Sequence, residues 1–224
     1  MSRIVVIGGH GKVALHLARV LTDRDNQVTS VFRNPDHADD VTTTGARPVV
    51  ADIENLDTGA LSDLLTGHDA VVFAAGAGGG DPDRTYAVDR DAAIRVIDAA
   101  GQAGVARFVM VSYFGAGPDH GVPQDNSFFP YAEAKSAADA HLRAGDLDWT
   151  VLGPGRLTLE PATGRIAVGA EDRREGGETS GVSREDVALV AAAALEDPST
   201  IHRTIDFNNG DLPIPEALAA SGDR

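Results

Sequence analysis

The sequence predicts an α/β protein built on a doubly wound parallel sheet, a Rossmann fold. Two observations indicate it. Short runs rich in Val, Ile and Phe alternate with helix-patterned segments up to Leu152, and the chain opens with a strand, a glycine turn and a helix in IVVIGGHGKVALHLARVL. Strands with little polar alternation are typical of a parallel sheet covered on both faces, with right-handed crossovers that place helices on each side.

Strand and helix candidates follow one another in order through this part of the chain. The predicted strands are Ile4–Ile7, Gln27–Phe32, Arg47–Ala51, Ala70–Ala74, Arg107–Val111 and Trp149–Leu152. The predicted helices are Lys12–Thr22, Asp36–Thr43, Asp57–Leu65, Arg84–Ala103 and Phe129–Arg143. Their alternation gives the βαβαβ units from which such a sheet is built.

The pattern changes beyond Leu152, where Gly, Glu and Arg become frequent. The predictions here are a weak strand at Arg165–Val168, a solvated loop at residues 170–178, a helix from an N-cap at Ser183 to Leu195, and a short strand at Thr204–Asn208. No linker separates this region from the rest. We therefore expect one domain over residues 1–224, in which residues 153–224 supply a small cap on the substrate side.

The composition excludes several classes of protein. A formal net charge of −15 disfavours nucleic acid and anionic membranes as partners, because both need a basic face. The chain has no run of about 18 apolar residues and no signal-peptide cleavage region, which predicts a cytoplasmic protein. It has no cysteine, and its seven histidines lack metal-binding spacings such as H-x-x-x-H, so no metal site is expected.

The first glycine turn has the pattern of a phosphate-binding loop. Gly8 permits the tight turn, Gly11 lets the backbone approach a pyrophosphate, and Ala14 lets the helix pack close to the sheet. The N–H groups of the first helical turn and the helix dipole favour the phosphate anion. The predicted cofactor contacts of this loop are Gly8, Gly9, His10, Gly11, Lys12 and Val13.

Two of these loop residues have alternative interpretations. His10 either lines the pyrophosphate or is a solvent-exposed turn histidine. Lys12 either supports a phosphate or is a solvated residue on the first helical turn.

The end of the second strand, in VFRNPDH, indicates which nucleotide binds. Arg33 stands there, with no acid at the strand end to bond a ribose 2′-hydroxyl, and a guanidinium matches a phosphate in charge and geometry. NADP(H) is therefore preferred over NAD(H). Asp36 is the alternative, because it could turn inward, although Pro35 is expected to start a helix there.

The ends of the third and fourth strands predict the rest of the nucleotide site. Asp52 and Ile53 are placed to meet the edge and face of an adenine, although Asp52 is equally well explained as a carboxylate that starts a helix. In the stretch AAGAGGG, the small residues Ala74, Ala75 and Gly76 leave room for a ribose.

Tyr131 and Lys135 form the candidate catalytic pair. The chain has three tyrosines and two lysines, so a Tyr-x-x-x-Lys pair is not expected by chance. The i, i+4 spacing places both side chains on one helix face, where the ammonium could stabilise a tyrosinate and lower the pKa of the phenol toward neutrality. Ser112, which closes the strand RFVMVS, is the candidate hydroxyl for polarising the same substrate oxygen.

The segment between Ser112 and the Tyr131 helix, residues 113–129, is expected to overhang the reactive end of the cofactor. Phe114, Phe128 and Phe129 predict a partly apolar pocket wall, with core packing as the alternative for at least one of them. His120 is either an accessory acid/base or a surface loop histidine.

Taken in order, these stretches resemble the atypical branch of the short-chain dehydrogenase/reductase superfamily, the NAD(P)-binding, epimerase-like proteins. The resemblance runs over roughly residues 3–190 and includes GGHGKVALHLARVL, VVADIEN, YAEAKSAAD and LDWTVLGPGRLT. It implies that Tyr131 donates or accepts a proton, that Lys135 holds the nicotinamide ribose, and that Ser112 orients the substrate carbonyl. It also implies that Pro154 and Gly155 face the nicotinamide. The chain departs from typical members in having AAGA where they have N-N-A-G.

These features together predict an NADP(H)-dependent oxidoreductase that acts on a small carbonyl or quinone-like substrate. Two alternatives stay open: an NADP(H)-binding sensor or regulatory protein without turnover, and an epimerase-type enzyme that keeps its nicotinamide bound. The expected partner is a small-molecule substrate, and the chain is expected to be a monomer or a homodimer.

Overall fold

The structure is a computed structural model that describes residues 1–78, 81–169 and 181–220. The loop predicted at residues 170–178 lies outside these ranges. The strands are β1 (Arg3–Ile7), β2 (Gln27–Phe32), β3 (Arg47–Val50), β4 (Ala70–Phe73), β5 (Arg107–Val111), β6 (Asp148–Pro154), β7 (Leu157–Thr158), β8 (Arg165–Val168), β9 (Val182–Ser183), β10 (Arg203–Asn209) and β11 (Leu212–Pro213).

The α-helices of the same residues are α1 (Lys12–Asp23), α2 (Ala38–Thr42), α3 (Thr58–Leu65), α4 (Pro82–Thr85), α5 (Ala93–Ala103), α6 (Phe129–Ala144), α7 (Arg184–Glu196) and α8 (Ile214–Ala220). There are also 3₁₀ turns at Pro35–His37 and Pro198–Thr200 and a π-helical segment at Tyr86–Ala92. Over the described ranges, no helix combines the length and apolar character that a membrane span requires.

Nine strands of the described residues form one sheet, in the order β11-β8-β10-β6-β5-β4-β1-β2-β3. All neighbouring pairs from β3 to β10 are parallel, whereas β8 is antiparallel to both β10 and β11. In the middle, Val5 of β1 lies opposite Thr29 of β2 and Val71 of β4. The predicted doubly wound sheet is confirmed, and its winding reverses between β1 and β4, where such folds bind ligands.

Alternation of side chains along the strands produces a core on each face of the sheet. Ile4 and Val6 of β1 belong to the core that includes α1 and α7, whereas Val5 and Ile7 belong to the core that includes α3, α5 and α6. Because residues two apart share a face, a strand that is buried on both sides has the continuous apolar sequence seen here.

The segment Arg84–Ala103 is helical throughout, as predicted, but it is not a single α-helix, because a π-helical segment separates α4 from α5. Asp81 caps the short α4 by accepting hydrogen bonds from the backbone N–H groups of Asp83 and Arg84, at 3.0 and 3.3 Å. The π-helical segment follows, and only then does α5 begin. Asp89 of the π-helical segment is buried and accepts a hydrogen bond from the backbone N–H of Ala77 at 3.0 Å. This long-range bond gives the π-helical segment a partner that the local sequence pattern does not reveal.

Most of the C-terminal third extends the main sheet, through β8, β10 and β11. Helix α7 packs against α1 on the face opposite α6. The strands of this region that lie outside the main sheet are β7 and β9, which form a separate two-stranded parallel sheet.

Ser183 begins α7 as predicted. Its Oγ accepts a hydrogen bond from the Asp186 N–H at 2.9 Å, and the side chain is fully buried. We expect Ser183→Ala to lower the free energy of unfolding by about 1–2 kcal/mol, because it leaves a helix N–H without its partner. Urea unfolding would measure this. Ser199→Ala, at an exposed serine, serves as the control and should change the free energy by less than about 0.5 kcal/mol.

Candidate functional site

A cavity of about 340 Å³ opens at the carboxyl ends of the central strands, where the winding of the sheet reverses. We call it the nucleotide cavity, because many of its lining residues are predicted to bind the cofactor. It brings together nine of the residues predicted to bind the cofactor: Gly8, His10, Gly11, Arg33, Asp52, Ile53, Ala74, Ala75 and Gly76. It also contains side chains that sequence reasoning missed, notably Glu54, Arg84 and His37.

The glycine turn after β1 has the geometry of a phosphate cradle. The N–H groups of Gly8 and Gly9 both donate to the carbonyl of Val31, at 3.0 and 2.8 Å, and the N–H of Gly11 donates to the carbonyl of Gly8 at 2.8 Å. Gly11 is the N-cap of α1, which has no capping side chain and no acid in its first turn. The first-turn N–H groups of α1 are therefore suited to an anion, and these residues fit the phosphates of a dinucleotide.

Three of the loop residues predicted to bind the cofactor do not line the nucleotide cavity. Gly9 is buried, and a Cβ there would lie 2.6 Å from the Cβ of Ser30, so this glycine allows the turn to pack on β2. Val13 packs against the apolar core beside α1. Lys12 is exposed and lines a separate cavity beside Glu160, because its position on α1 turns it away from the nucleotide cavity.

His10 lines the nucleotide cavity, and its side chain is partly exposed. Its ring stacks on that of His37, with centroids 3.6 Å apart, and its Nε2 lies 2.9 Å from Asp40 Oδ2. The imidazole is thus held at the rim by two partners from the segment after β2.

Two acids near the end of the cavity that is predicted to hold the adenosine are already engaged within the protein. Asp52 lines the cavity, but its Oδ1 accepts a hydrogen bond from the Glu54 N–H at 3.1 Å and its Oδ2 accepts one from Asn55 Nδ2 at 2.9 Å. Its carboxylate therefore closes a turn after β3. Asp36 is exposed and its N–H donates to Asn34 Oδ1 at 3.1 Å in the 3₁₀ turn. The alternative in which Asp36 turns into the site is not what the structure shows.

The face of α6 that points to the sheet has a four-residue repeat of Tyr131, Lys135 and Asp139. Lys135 is 1% exposed, its Nζ lies 3.4 Å from Met110 Sδ, and the ammonium stands 5.6 Å from the centre of the Phe73 ring. Burial lowers the pKa of Lys135, and the nearby carboxylates of Asp139 and Asp89 oppose that shift.

Ser112 stands directly after β5, where it meets this face of α6. Its Oγ donates to Asp139 Oδ2 at 2.6 Å, and both side chains are buried. The other oxygen of Asp139 has no hydrogen-bond partner among the described residues. Burial raises the pKa of Asp139, and the positive charge of Lys135 and the bond from Ser112 oppose the shift. The sequence signal for Asp139 was its position four residues after Lys135.

The tyrosine does not have the lowered pKa expected from its lysine neighbour. Burial raises the pKa of Tyr131, and the carboxylates of Asp89 and Asp139 add to the rise. The lowered pKa expected from Lys135 is wrong for this structure, because burial of the phenol and the two nearby carboxylates dominate. Tyr131 therefore keeps its phenolic proton at neutral pH.

An aromatic cluster stands beside the phenol. The ring centroids of Tyr113 and Phe128 are each within 6 Å of that of Tyr131, at 5.7 and 5.2 Å. Phe129 packs instead against His120, whose side chain is buried and whose Nε2 lies 2.8 Å from Glu133 Oε1. His120 thus ties the loop to α6, and the burial of its side chain contradicts the interpretation as a surface histidine, whereas a role as accessory acid/base stays a prediction.

Pro154 and Gly155 lie at the carboxyl end of β6, beside the end of β5. The carbonyl of Pro154 accepts from the Phe114 N–H at 2.9 Å, and the N–H of Gly155 donates to the carbonyl of Phe207 at 3.0 Å. A Cβ on Gly155 would collide with the side chain of Asn208, so the glycine lets β10 pack closely against this turn. Within the part of the chain that the structure describes, no group of three His, Asp or Glu side chains forms a metal site.

The buried carboxyls predict how stability depends on pH. Burial raises the pKa values of Asp89, Asp139 and Asp206. Between its unfolded and its raised folded pKa, each group binds more protons in the folded state, so the free energy of unfolding falls as pH rises through that window. We expect Asp139→Asn to gain stability relative to the wild type as pH rises above about 4, by up to about 1.4 kcal/mol per pH unit.

Urea unfolding at a series of pH values measures this difference. Ser112→Ala is the control, because it removes the hydrogen bond but keeps the ionisable carboxyl, so the fall in stability with pH should persist. A constant difference between Asp139→Asn and the wild type at every pH would contradict the assignment.

Comparison with known proteins agrees with this geometry. A family model of NAD(P)H-binding proteins matches residues 8–198. The chain is 35% identical over 219 residues to the uncharacterized sugar epimerase YhfK of Bacillus subtilis (strain 168), a match that covers 96% of this chain and 98% of that protein. It is 34% identical over 238 residues to the UPF0659 protein C216.03 of Schizosaccharomyces pombe, covering 98% and 94%.

A solved structure of a Bacillus halodurans protein, named for the NAD-dependent epimerases/dehydratases, has the same fold. It superimposes with a TM-score of 0.86 at 33% identity, over 98% of this chain and 100% of that one. The chain therefore belongs to the NAD(P)H-binding family, in the atypical, epimerase-like branch of the short-chain dehydrogenases/reductases.

Proposed function

We propose that the protein is an NADP(H)-dependent oxidoreductase that acts on a small carbonyl or quinone-like substrate. One observation carries the proposal: Tyr131 and Lys135 share a helix face with Asp139, which holds Ser112 at the carboxyl end of β5. The neighbouring strand, β4, ends in the residues that line the nucleotide cavity. The acid/base candidates and the predicted cofactor site thus lie along one edge of the sheet.

When bound, the nucleotide would supply or accept the hydride, and residues of the chain would donate or accept the proton. In the reducing direction, Tyr131 donates its phenolic proton to the substrate oxygen, because its raised pKa keeps the phenol protonated before the reaction. We infer that Lys135 would hold the nicotinamide ribose, as the resemblance to the family implies.

Ser112 orients the substrate oxygen, and Asp139 positions Ser112. While Asp139 is ionised, the single hydroxyl proton of Ser112 is directed to its carboxylate. When Asp139 is protonated, the carboxyl donates to Ser112 Oγ and the serine proton becomes free for the substrate oxygen. Burial raises the pKa of Asp139 and so makes the protonated form more accessible.

Two further features support the substrate and cofactor classes. The cluster of Tyr113, Phe128 and Tyr131 offers flat aromatic surface, which suits a conjugated substrate such as a quinone. Arg33 lines the nucleotide cavity where a 2′-phosphate is expected, which supports NADP(H) over NAD(H). We further propose that the protein is cytoplasmic and is a monomer or a homodimer.

A turnover screen tests the proposal. Purified protein is mixed with NADPH and a panel of aldehydes, ketones, quinones and flavins, and the loss of NADPH absorbance is followed. We expect at least one carbonyl or quinone to be reduced, with NADPH supporting faster turnover than NADH. Tight binding of NADPH without turnover on any member of the panel would contradict the oxidoreductase assignment.

A nucleotide-binding sensor is the second candidate. It is favoured by the Ser112 hydroxyl, which is directed to Asp139 inside the protein instead of toward a substrate. A sensor should bind NADPH and NADP⁺ with different affinities and show no turnover. The epimerase-type alternative, suggested by the names of relatives, predicts a nicotinamide that co-purifies with the protein and survives dialysis.

A further inference from the structure

The adenosine end of the nucleotide cavity contains a charged triplet of Arg33, Glu54 and Arg84. Glu54 Oε1 accepts a hydrogen bond from Arg33 Nη1 at 2.9 Å and from Arg84 Nε and Nη2 at 3.3 Å each. All three side chains line the cavity. One carboxylate oxygen therefore stands between two guanidiniums that come from different segments, one after β2 and one in α4.

Glu54 is held in place from several sides. Its N–H donates to Asp52 Oδ1 at 3.1 Å, and its carbonyl accepts from Arg95 Nη2 of α5 at 3.0 Å. Arg95 also binds the carbonyls of Ile53 and Leu56, at 3.1 and 3.2 Å. The turn that presents the carboxylate is thus anchored to α5 through Arg95.

The side chains of Arg33 and Arg84 differ in how many groups hold them in place. Arg84 donates to the carbonyl of Ala77 at 2.8 Å as well as to Glu54, which ties it to the segment after β4. Arg33 is 53% exposed and its bond to Glu54 is its single side-chain hydrogen bond among the described residues. Arg33 is therefore the guanidinium that can turn toward an arriving phosphate at the smaller cost.

A carboxylate in this position interacts differently with NADP(H), which carries a 2′-phosphate, and with NAD(H), which carries a 2′-hydroxyl. A 2′-phosphate is an anion that competes with Glu54 for the guanidiniums, and like charges in contact repel. A 2′-hydroxyl can donate a hydrogen bond to a carboxylate, as it does to acidic residues in NAD-binding sites.

We propose that Glu54 is a specificity-determining residue, which limits the preference for NADP(H) by competing with the 2′-phosphate for Arg33 and Arg84 and by accepting from the 2′-hydroxyl of NAD(H). This inference deepens the proposed function, since it rests on the nucleotide site, but it does not depend on any substrate being turned over.

The test is isothermal titration of the full-length protein with NADPH and with NADH, at one pH and one ionic strength. We expect Glu54→Gln to bind NADPH about tenfold more tightly and NADH no more tightly than the wild type does, because one charge-assisted competitor has been removed. Arg84→Ala should have the opposite effect and weaken NADPH more than NADH.

Glu196→Gln is the matched control. It removes the same charge from the pair that Glu196 forms with Arg24 at 3.0 Å, away from the cavity, and should change both affinities by less than about twofold. Glu54→Asp keeps the charge on a shorter side chain and should fall between the wild type and Glu54→Gln, which preserves the test if the glutamine variant folds poorly.

Equal changes for NADPH and NADH in Glu54→Gln would overturn the inference, because they would indicate a role in holding the turn alone. Failure of the wild type to bind either nucleotide would overturn both this inference and the cofactor assignment. Binding that follows the expected pattern without any turnover would leave Glu54 in its role and remove the oxidoreductase proposal.

Discussion

Tyr131→Phe is expected to lower NADPH-dependent carbonyl turnover by about 10²–10⁴-fold while changing NADPH affinity by less than about twofold. The substitution keeps the ring that packs against Tyr113 and Phe128 and removes only the phenolic oxygen. The lost group is the proton donor, so the effect should be on the turnover number at saturating NADPH. Steady-state rates, combined with calorimetric binding of NADPH, separate the two quantities.

Tyr86→Phe is the matched control for this variant. Tyr86 lies in the π-helical segment with its ring 4.7 Å from the Arg90 guanidinium, and the phenylalanine keeps that ring. Its turnover should stay within about twofold of the wild type. If Tyr131→Phe retains full turnover on every substrate that the wild type reduces, Tyr131 is not the acid, and the proton comes from elsewhere.

Gly8→Ala is expected to destabilise the fold by at least about 3 kcal/mol and to abolish NADPH binding. Gly8 has a φ of +84°, and a Cβ there would lie 2.5 Å from Ala75 Cα and 2.6 Å from Ala75 N. The loop must therefore move away from β4, and the N–H groups that would meet a phosphate move with it. Thermal or urea unfolding measures the first effect, and calorimetry with NADPH measures the second.

Gly104→Ala is a control that separates the cost of a positive φ from the cost of a clash at Cβ. Gly104 has a similar φ of +72° at the end of α5, but a Cβ there would meet no atom of the described residues within 4 Å, so its cost should be only about 1 kcal/mol. Gly11→Ala serves if Gly8→Ala does not fold. Its φ of −60° suits any residue, so the fold should survive while NADPH binding is lost. Normal NADPH affinity in either loop variant would contradict the phosphate-cradle assignment.

The first βαβ unit could be predicted almost to the residue because its signals are local. The strand, the glycine turn and the apolar periodicity of α1 lie within residues 3–23, and the strand β2 was predicted with its observed bounds. The same is true of the N-cap at Ser183, where one hydroxyl and the next turn of backbone define the start of α7.

The departures from prediction come from contacts between distant segments. The interruption of the helix over Arg84–Ala103 is accompanied by the burial of Asp89 against the backbone of Ala77. Sequence spacing placed Tyr131 and Lys135 on one face, but burial of the phenol and the carboxylates of Asp89 and Asp139 raise the pKa of Tyr131, which no spacing shows.

Glu54 could not have been assigned a role from sequence for the same reason. Its partners Arg33 and Arg84 lie 21 and 30 residues away along the chain, and they meet only because β2, the turn after β3 and α4 converge at one end of the sheet. Asp139 is intermediate, because the Tyr131-Lys135-Asp139 repeat is visible in the sequence, whereas its bond to Ser112 requires the fold.

Hydride transfer from labelled NADPH tests the proposed oxidoreductase most directly. The protein is incubated with NADPH that carries deuterium at the transferred position of C4, together with a carbonyl substrate from the screen, and the released product is analysed by mass spectrometry. A released, reduced product that carries one deuterium, formed in equal amount to NADP⁺, is the result expected here. Unlabelled substrate with unchanged NADPH, or a product that is epimerised without net oxidation of the nucleotide, would contradict it.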